Sequence, residues 1–217
     1  MKIEVKVCSP SSYRGEAIVV CHFEDSSKLD GAALELDRHS GGILGDLIKR
    51  GDFTGKLAQV SVVYTRGALP AYRVLLLGLG KKKDFDLEKA RRAFAKAARS
   101  VRDLGLAEFA VCLDPAPAGA ALEDMTEAAV EGVILGLYRF TQFKTAEENG
   151  PREIRRLIFL ASDDREARRM KDAAAAAEII SKAVCFARDL VSTPSNEMTP
   201  TDMARRAREA AVSGKVR

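Results

Sequence analysis

Tryptophan is absent from this chain of 217 residues, and aromatic side chains make up only 6% of it. So little ring surface argues against a stacking platform for single-stranded nucleic acid. Histidine occurs twice, as His22 and His39, and neither has a partner at the H-x-x-x-H or H-E-x-x-H spacing of a metal site. With so few histidines, a serine or cysteine triad has little to build on, and no serine sits in a G-x-S-x-G elbow. Cys8, Cys21, Cys112 and Cys185 form no C-x-x-C and read as free thiols of a reducing compartment. No apolar run approaches the length of a membrane span. The N-terminus alternates polar and apolar residues from Met1 to Val7, unlike the apolar core of a signal peptide, so a cytoplasmic protein is expected. Net charge is only +4, and the pairs Arg91-Arg92, Arg155-Arg156, Arg168-Arg169 and Arg205-Arg206 mostly have acidic neighbours. They read as solvated faces, and DNA binding is not expected.

What is present is an alternation of strands and helices. Strand patterns lie at residues 2–8, 17–21, 58–64, 73–79, 108–113 and 156–160. Residues 2–8 alternate as an edge strand does, whereas 73–79 are largely apolar, as suits an interior parallel strand. Leu87, Ala90, Phe94, Ala97, Val101 and Leu104 recur at helical spacing, with Asp86 as N-cap and Gly105 as stop. Further helices are predicted over 122–140 and 166–190, the second through the alanine run 173–177. A helical stretch at 29–49 is broken by Gly41, Gly42 and Gly45. From Tyr72 onward, strand and helix alternate strictly, which predicts an α/β fold around a mixed, largely parallel sheet.

Three loci invite a functional reading and have a plainer one. Leu77-Gly78-Leu79-Gly80-Lys81-Lys82-Lys83 follows a buried strand and offers amides and lysines to an anion. It lacks the third glycine of G-x-G-x-x-G and the Gly-Lys-Ser/Thr of a P-loop, so a tight turn with a solvated lysine run is the better account. Cys112, before Leu113-Asp114-Pro115, has no histidine nearby in sequence. The carboxylate pairs Glu147-Glu148 and Asp163-Asp164 fall in loops or at a helix start, where the helix dipole explains the second. No catalytic, cofactor-binding or metal-binding residue is assigned.

The last stretch has a distinct turn chemistry. Thr193-Pro194-Ser195-Asn196 stops the preceding helix. Thr199-Pro200-Thr201-Asp202 starts another, with Thr199 as cap, Pro200 at the first helical position and Asp202 reaching back. That final helix is short and polar and needs something to dock on.

Three segments together resemble the leucyl aminopeptidase family, the cytosol aminopeptidases or M17 metallopeptidases. They are Leu75-Leu76-Leu77-Gly78-Leu79-Gly80-Lys81, then Glu131 through Phe140 with Phe143-Lys144, then Arg188 through Pro200. Ser192 departs from the asparagine usual there. The resemblance implies a macro-domain-like three-layer sandwich with helices on both faces. It divides the chain into an N-terminal domain (1–171), a linker helix (172–191) and the truncated start of a catalytic domain (192–217). It implies that the parent enzyme releases N-terminal amino acids from peptides with two divalent ions, zinc or manganese, which activate a bridging water. The motif Asn-Thr-Asp-Ala-Glu-Gly-Arg that supplies part of that site does not occur here, so no cofactor is expected in these residues. The implied partner is the protein's own catalytic domain, in a hexamer built by catalytic domains. Alone, the chain is expected to be a monomer, or a weak dimer through Ile180, Val184 and Ala187. Two alternatives stand beside this reading: a stand-alone nucleotide or ADP-ribose module using residues 77–83, and a DNA-contacting accessory domain.

Overall fold

The computed structural model describes residues 1–113, 119–143 and 153–213. In chain order the elements are β1 (Lys2–Val7), β2 (Ile18–His22), α1 (Gly31–His39), α2 (Ile43–Arg50), β3 (Val60–Tyr64), β4 (Arg73–Gly78), α3 (Leu87–Asp103), β5 (Glu108–Cys112), α4 (Leu122–Leu137), β6 (Arg156–Ala161), α5 (Asp164–Ser192) and α6 (Pro200–Ser213).

The strands form one sheet in the order β1-β6-β5-β2-β4-β3. Every neighbouring pair is parallel except β3–β4. The alternating N-terminal strand is an edge, as its pattern predicts, and the apolar β4 lies inside.

The period-2 alternation of the inner strands divides the core into two layers. Val19, Cys21, Leu75, Leu77, Phe109, Val111, Leu157 and Phe159 face one side, where Phe94 and Val101 of α3, Met125 and Val133 of α4, and Met170 and Ala177 of α5 cover them. Ile18, Val20, Val74, Leu76, Ala110, Cys112, Ile158 and Leu160 face the other, under Ala33 and Leu36 of α1, Leu44 of α2, and Phe53. Helices on both faces of a mixed sheet make the three-layer sandwich that was expected.

α3 and α4 lie unusually close because α4 presents glycine twice, one turn apart. A Cβ on Gly132 would fall 2.4 Å from the Arg91 carbonyl oxygen, and one on Gly136 would fall 2.6 Å from the Ala95 Cβ. The helical stretch near residue 40 splits at Gly41 and Gly42, which have φ of +77° and +89°. Gly45 does not break it: this residue lies inside α2 and donates its N–H to the Asp37 carboxylate at 2.9 Å.

Candidate functional site

The lysine turn after β4 is already filled by the protein. Gly80 donates its amide to the Gly55 carbonyl at 2.9 Å and accepts from the Glu24 amide at 2.9 Å. The Lys82 amide, the donor an anion would use, binds both oxygens of Asp25 at 3.0 and 3.1 Å. The Lys82 ammonium rests 5.6 Å from the centre of the Phe23 ring. Gly78 leaves room for backbone, since a Cβ there would lie 2.0 Å from the Lys56 carbonyl oxygen. Asp86 accepts from the Lys89 amide at 2.7 Å and places a carboxylate at the start of α3. Phosphate would meet carboxylates at both ends of this turn, so nothing in its geometry favours the nucleotide reading.

The histidines and acids are likewise engaged in local structure. His22 ends β2, is buried, and its Nε2 lies 3.1 Å from the Ser26 carbonyl oxygen. Burial pushes its pKa below 6.5. His39 Nδ1 meets the Glu35 carbonyl oxygen, one turn earlier, at 2.9 Å. Asp163 caps α5 by accepting from the Glu166 amide at 2.7 Å, and Glu166 accepts from the Ser162 amide at 2.7 Å. Cys21 and Cys112 are buried, Cys8 and Cys185 are half-buried, and none of the four is joined in a disulfide. Among the described residues, no three His, Cys, Asp or Glu side chains converge as a metal site would require. The described residues therefore offer no ligand cluster that would fit the paired ions the resemblance implies. Asp114-Pro115, Lys144 and Glu147-Glu148 lie outside the described residues.

The far end of α5 has a different character. As far as Ser181 the helix buries Ala167, Met170, Ala173, Ala174, Ala177 and Ser181 itself. Beyond Ser181 no residue of the helix is fully buried and Val191 is 87% exposed; Ile179 and Ile180, just before Ser181 on the outward face, are 71% and 52% exposed. There α5 is held by the end of α4. Tyr138 donates its phenol to Asp189, and Arg188 lays its guanidinium over the Tyr138 ring, 5.5 Å from its centre. A crevice of about 370 Å³ opens beside this contact, lined by Ile134, Leu137, Tyr138, Arg139, Ile154 and Lys182 among others. α6 follows; its ion pairs Arg205–Asp202, Arg205–Glu209 and Arg206–Glu209 all lie within the helix. The segment around Arg188 reads in sequence as a junction, but its contact with Tyr138 has no local sequence signal.

The described residues thus form an α/β sandwich whose last long helix runs on beyond its last buried residue, Ser181. The sequence model of the cytosol aminopeptidase family, N-terminal domain, matches residues 18–147, and the chain belongs to that family. A probable cytosol aminopeptidase of Geobacter sp. (strain M21) is 38% identical over 212 residues, covering 97% of this chain and 42% of the relative. One from Roseiflexus castenholzii is 40% identical over 173 residues, covering 78% of this chain and 35% of the relative. Among solved structures, a tomato leucine aminopeptidase mutant shares the fold with a TM-score of 0.79 at 21% identity, covering 98% of this chain and 42% of that one. The bottromycin maturation enzyme BotP in complex with Mn gives 0.68 at 22%, covering 92% and 36%. The chain thus spans less than half the length of these relatives.

Proposed function

We propose that residues 1–171 form the non-catalytic N-terminal domain of a cytoplasmic metallo-aminopeptidase, that 172–191 act as its linker helix, and that 192–217 begin the catalytic domain. The parent enzyme removes N-terminal amino acids from peptides, using paired zinc or manganese ions held by residues outside these 217. The observation that carries this reading is the continuation of α5 beyond its last buried residue, Ser181, with Ile179, Ile180 and Val191 exposed, in a chain that matches the family's N-terminal domain. No helical break marks residue 171; α5 is continuous to Ser192, so the linker is an extension of the domain's own helix. The partner of that extension is the catalytic domain of the same protein, and hexamer formation is the work of catalytic domains.

The test is a pair of assays with leucine-p-nitroanilide and manganese. The chain alone should release no p-nitroaniline. A chimera in which it replaces the matching part of the Geobacter relative should hydrolyse the substrate. Manganese-dependent turnover by the chain alone would overturn the proposal.

A further inference from the structure

The two edges of the sheet are built differently. β1 carries Lys2, Glu4 and Lys6 along one face, with Lys2 and Glu4 paired at 2.9 Å. Charges along an edge oppose the docking of another strand. β3, at the opposite edge, reads Val60-Ser61-Val62-Val63-Tyr64, with no charge and no proline. It pairs with β4 residue for residue from Val60↔Leu77 to Tyr64↔Arg73, and the one bulge at its side, Ala58 and Gln59 opposite Gly78, lies before Val60 and outside the paired stretch. Its flanking bonds set the phase of the ladder: Thr65 donates its amide to the Tyr72 carbonyl at 3.1 Å, and Gly78 donates to the Gln59 carbonyl at 2.8 Å. The hydrogen-bonded positions on β3 are therefore 59, 61, 63 and 65. The N–H and C=O groups of Val60, Val62 and Tyr64 point outward.

We propose that this edge pairs antiparallel with β3 of a second copy of the chain, across a twofold axis at Val62. The strand is complementary to itself in that register. Val60 faces Tyr64 of the other copy, a β-branched residue against an aromatic, and Val62 faces its own equivalent. Each facing pair exchanges two main-chain hydrogen bonds. No like charges meet within the paired stretch; Lys56 and Arg66 lie outside it in the flanking turns. Tyr64 is 55% exposed, and its ring is already steadied by the Arg73 guanidinium 5.1 Å from its centre. α5 packs on β1, β6 and α4, toward the opposite edge, so the contact leaves the linker helix clear. Five-residue strands bury less than a standard interface, so the dimer is weak and reversible.

Sedimentation equilibrium of the 217-residue chain, from micromolar to about millimolar concentration, tests this. A monomer–dimer equilibrium is expected. Tyr64→Lys should weaken it at least about tenfold by placing a charge opposite Val60 on each side of the axis. Val62→Pro, which removes an outward N–H and no bond to β4, should weaken it too, and Ile180→Glu should leave it unchanged. In the unmodified chain, amide exchange at Val60, Val62 and Tyr64 should slow as concentration rises, a readout independent of any variant. A monomer at every concentration would overturn the proposal. So would a dimer that Ile180→Glu abolishes and Tyr64→Lys leaves intact, because the contact would then lie on the linker helix.

Discussion

The Tyr138 phenol donates to the Asp189 carboxylate at 2.8 Å and ties the end of α4 to the part of α5 that the core no longer holds. Arg188 adds a second link, donating from Nη1 to the Leu135 carbonyl at 3.4 Å. That carbonyl lies in the last turn of α4, where backbone oxygens lack helical partners and a cation is favoured. The direction in which the last turns of α5 leave the sandwich is thereby set by α4.

Removing the phenol tests this link. Tyr138→Phe keeps the ring under Arg188 and loses the hydrogen bond; Tyr138→Ala loses both. Amide exchange over residues 185–192 should accelerate by roughly three- to tenfold in the first variant and more in the second. Exchange in β2 and β4 should stay as it was. Equal exchange over 185–192 in all three proteins would mean that the contact does not restrain the helix.

Glycine substitutions should separate packing from backbone strain. Gly78→Ala drives a Cβ into the Lys56 carbonyl, and Gly132→Ala drives one into the Arg91 carbonyl, both from rigid backbone. Each should cost at least about 2 kcal/mol in urea denaturation. Gly41→Ala meets open space and carries only the penalty of its φ of +77°, about 1 kcal/mol. If Gly132→Ala costs no more than Gly41→Ala, then α3 and α4 can separate without loss and their close approach contributes little.

Local signals foretold local structure. The cap at Asp86, the helix-start carboxylates Asp163-Asp164, the stop at Gly105, the edge character of residues 2–7 and the glycine break near residue 41 all follow from chemistry within a few residues. What escaped the sequence spans long separations. Asp25 fills the Lys82 amide from 57 residues away, and Glu16 accepts from the Ala107 and Glu108 amides from 91 and 92 away. The parallel pairing of β1 with β6 is of the same kind. Such contacts depend on how the sheet is ordered, and periodicity along one strand carries no information about its neighbour. That is why the glycine-lysine turn could look like an anion loop until Asp25 was seen in it.

His22 should give the chain a stability slope in mildly acidic solution. It is buried, and its pKa in the folded chain lies below the ordinary 6.5 because burial disfavours the imidazolium. Below pH 6.5 the unfolded chain takes up a proton that the folded chain does not. Stability is therefore fully present above pH 6.5 and falls as pH drops toward the depressed value. Glu123, whose carboxyl the Arg169 guanidinium holds down to about 2, acts only below 4.5, well under the pH at which the His22 effect begins. Thermal melts of the chain and of His22→Gln between pH 7.5 and 5 should show the unmodified protein losing more. Parallel curves would mean that folding does not lower the His22 pKa.

α6 should be the least protected helix, because what holds it is its own. Thr199 accepts from the Asp202 amide at 3.3 Å, and Asp202 accepts from the Thr199 amide at 3.2 Å, a reciprocal cap. The Thr199 hydroxyl and then Arg205 lower the Asp202 carboxyl below its usual range. None of these bonds joins α6 to the sheet, and Met203 is 42% exposed. Fourteen residues with a good cap are still marginal as an isolated helix in water, since nucleation costs more than one turn returns. Amides from 201 to 211 should therefore exchange much faster than those of α3, and trypsin should cleave first at Arg205, Arg206 or Arg208. In the chimera with the Geobacter relative, the same segment gains a surface to pack on and should become protected. Slow exchange through 201–211 in the monomeric chain would show that α6 is held by the N-terminal domain, and its assignment to the catalytic domain would fail.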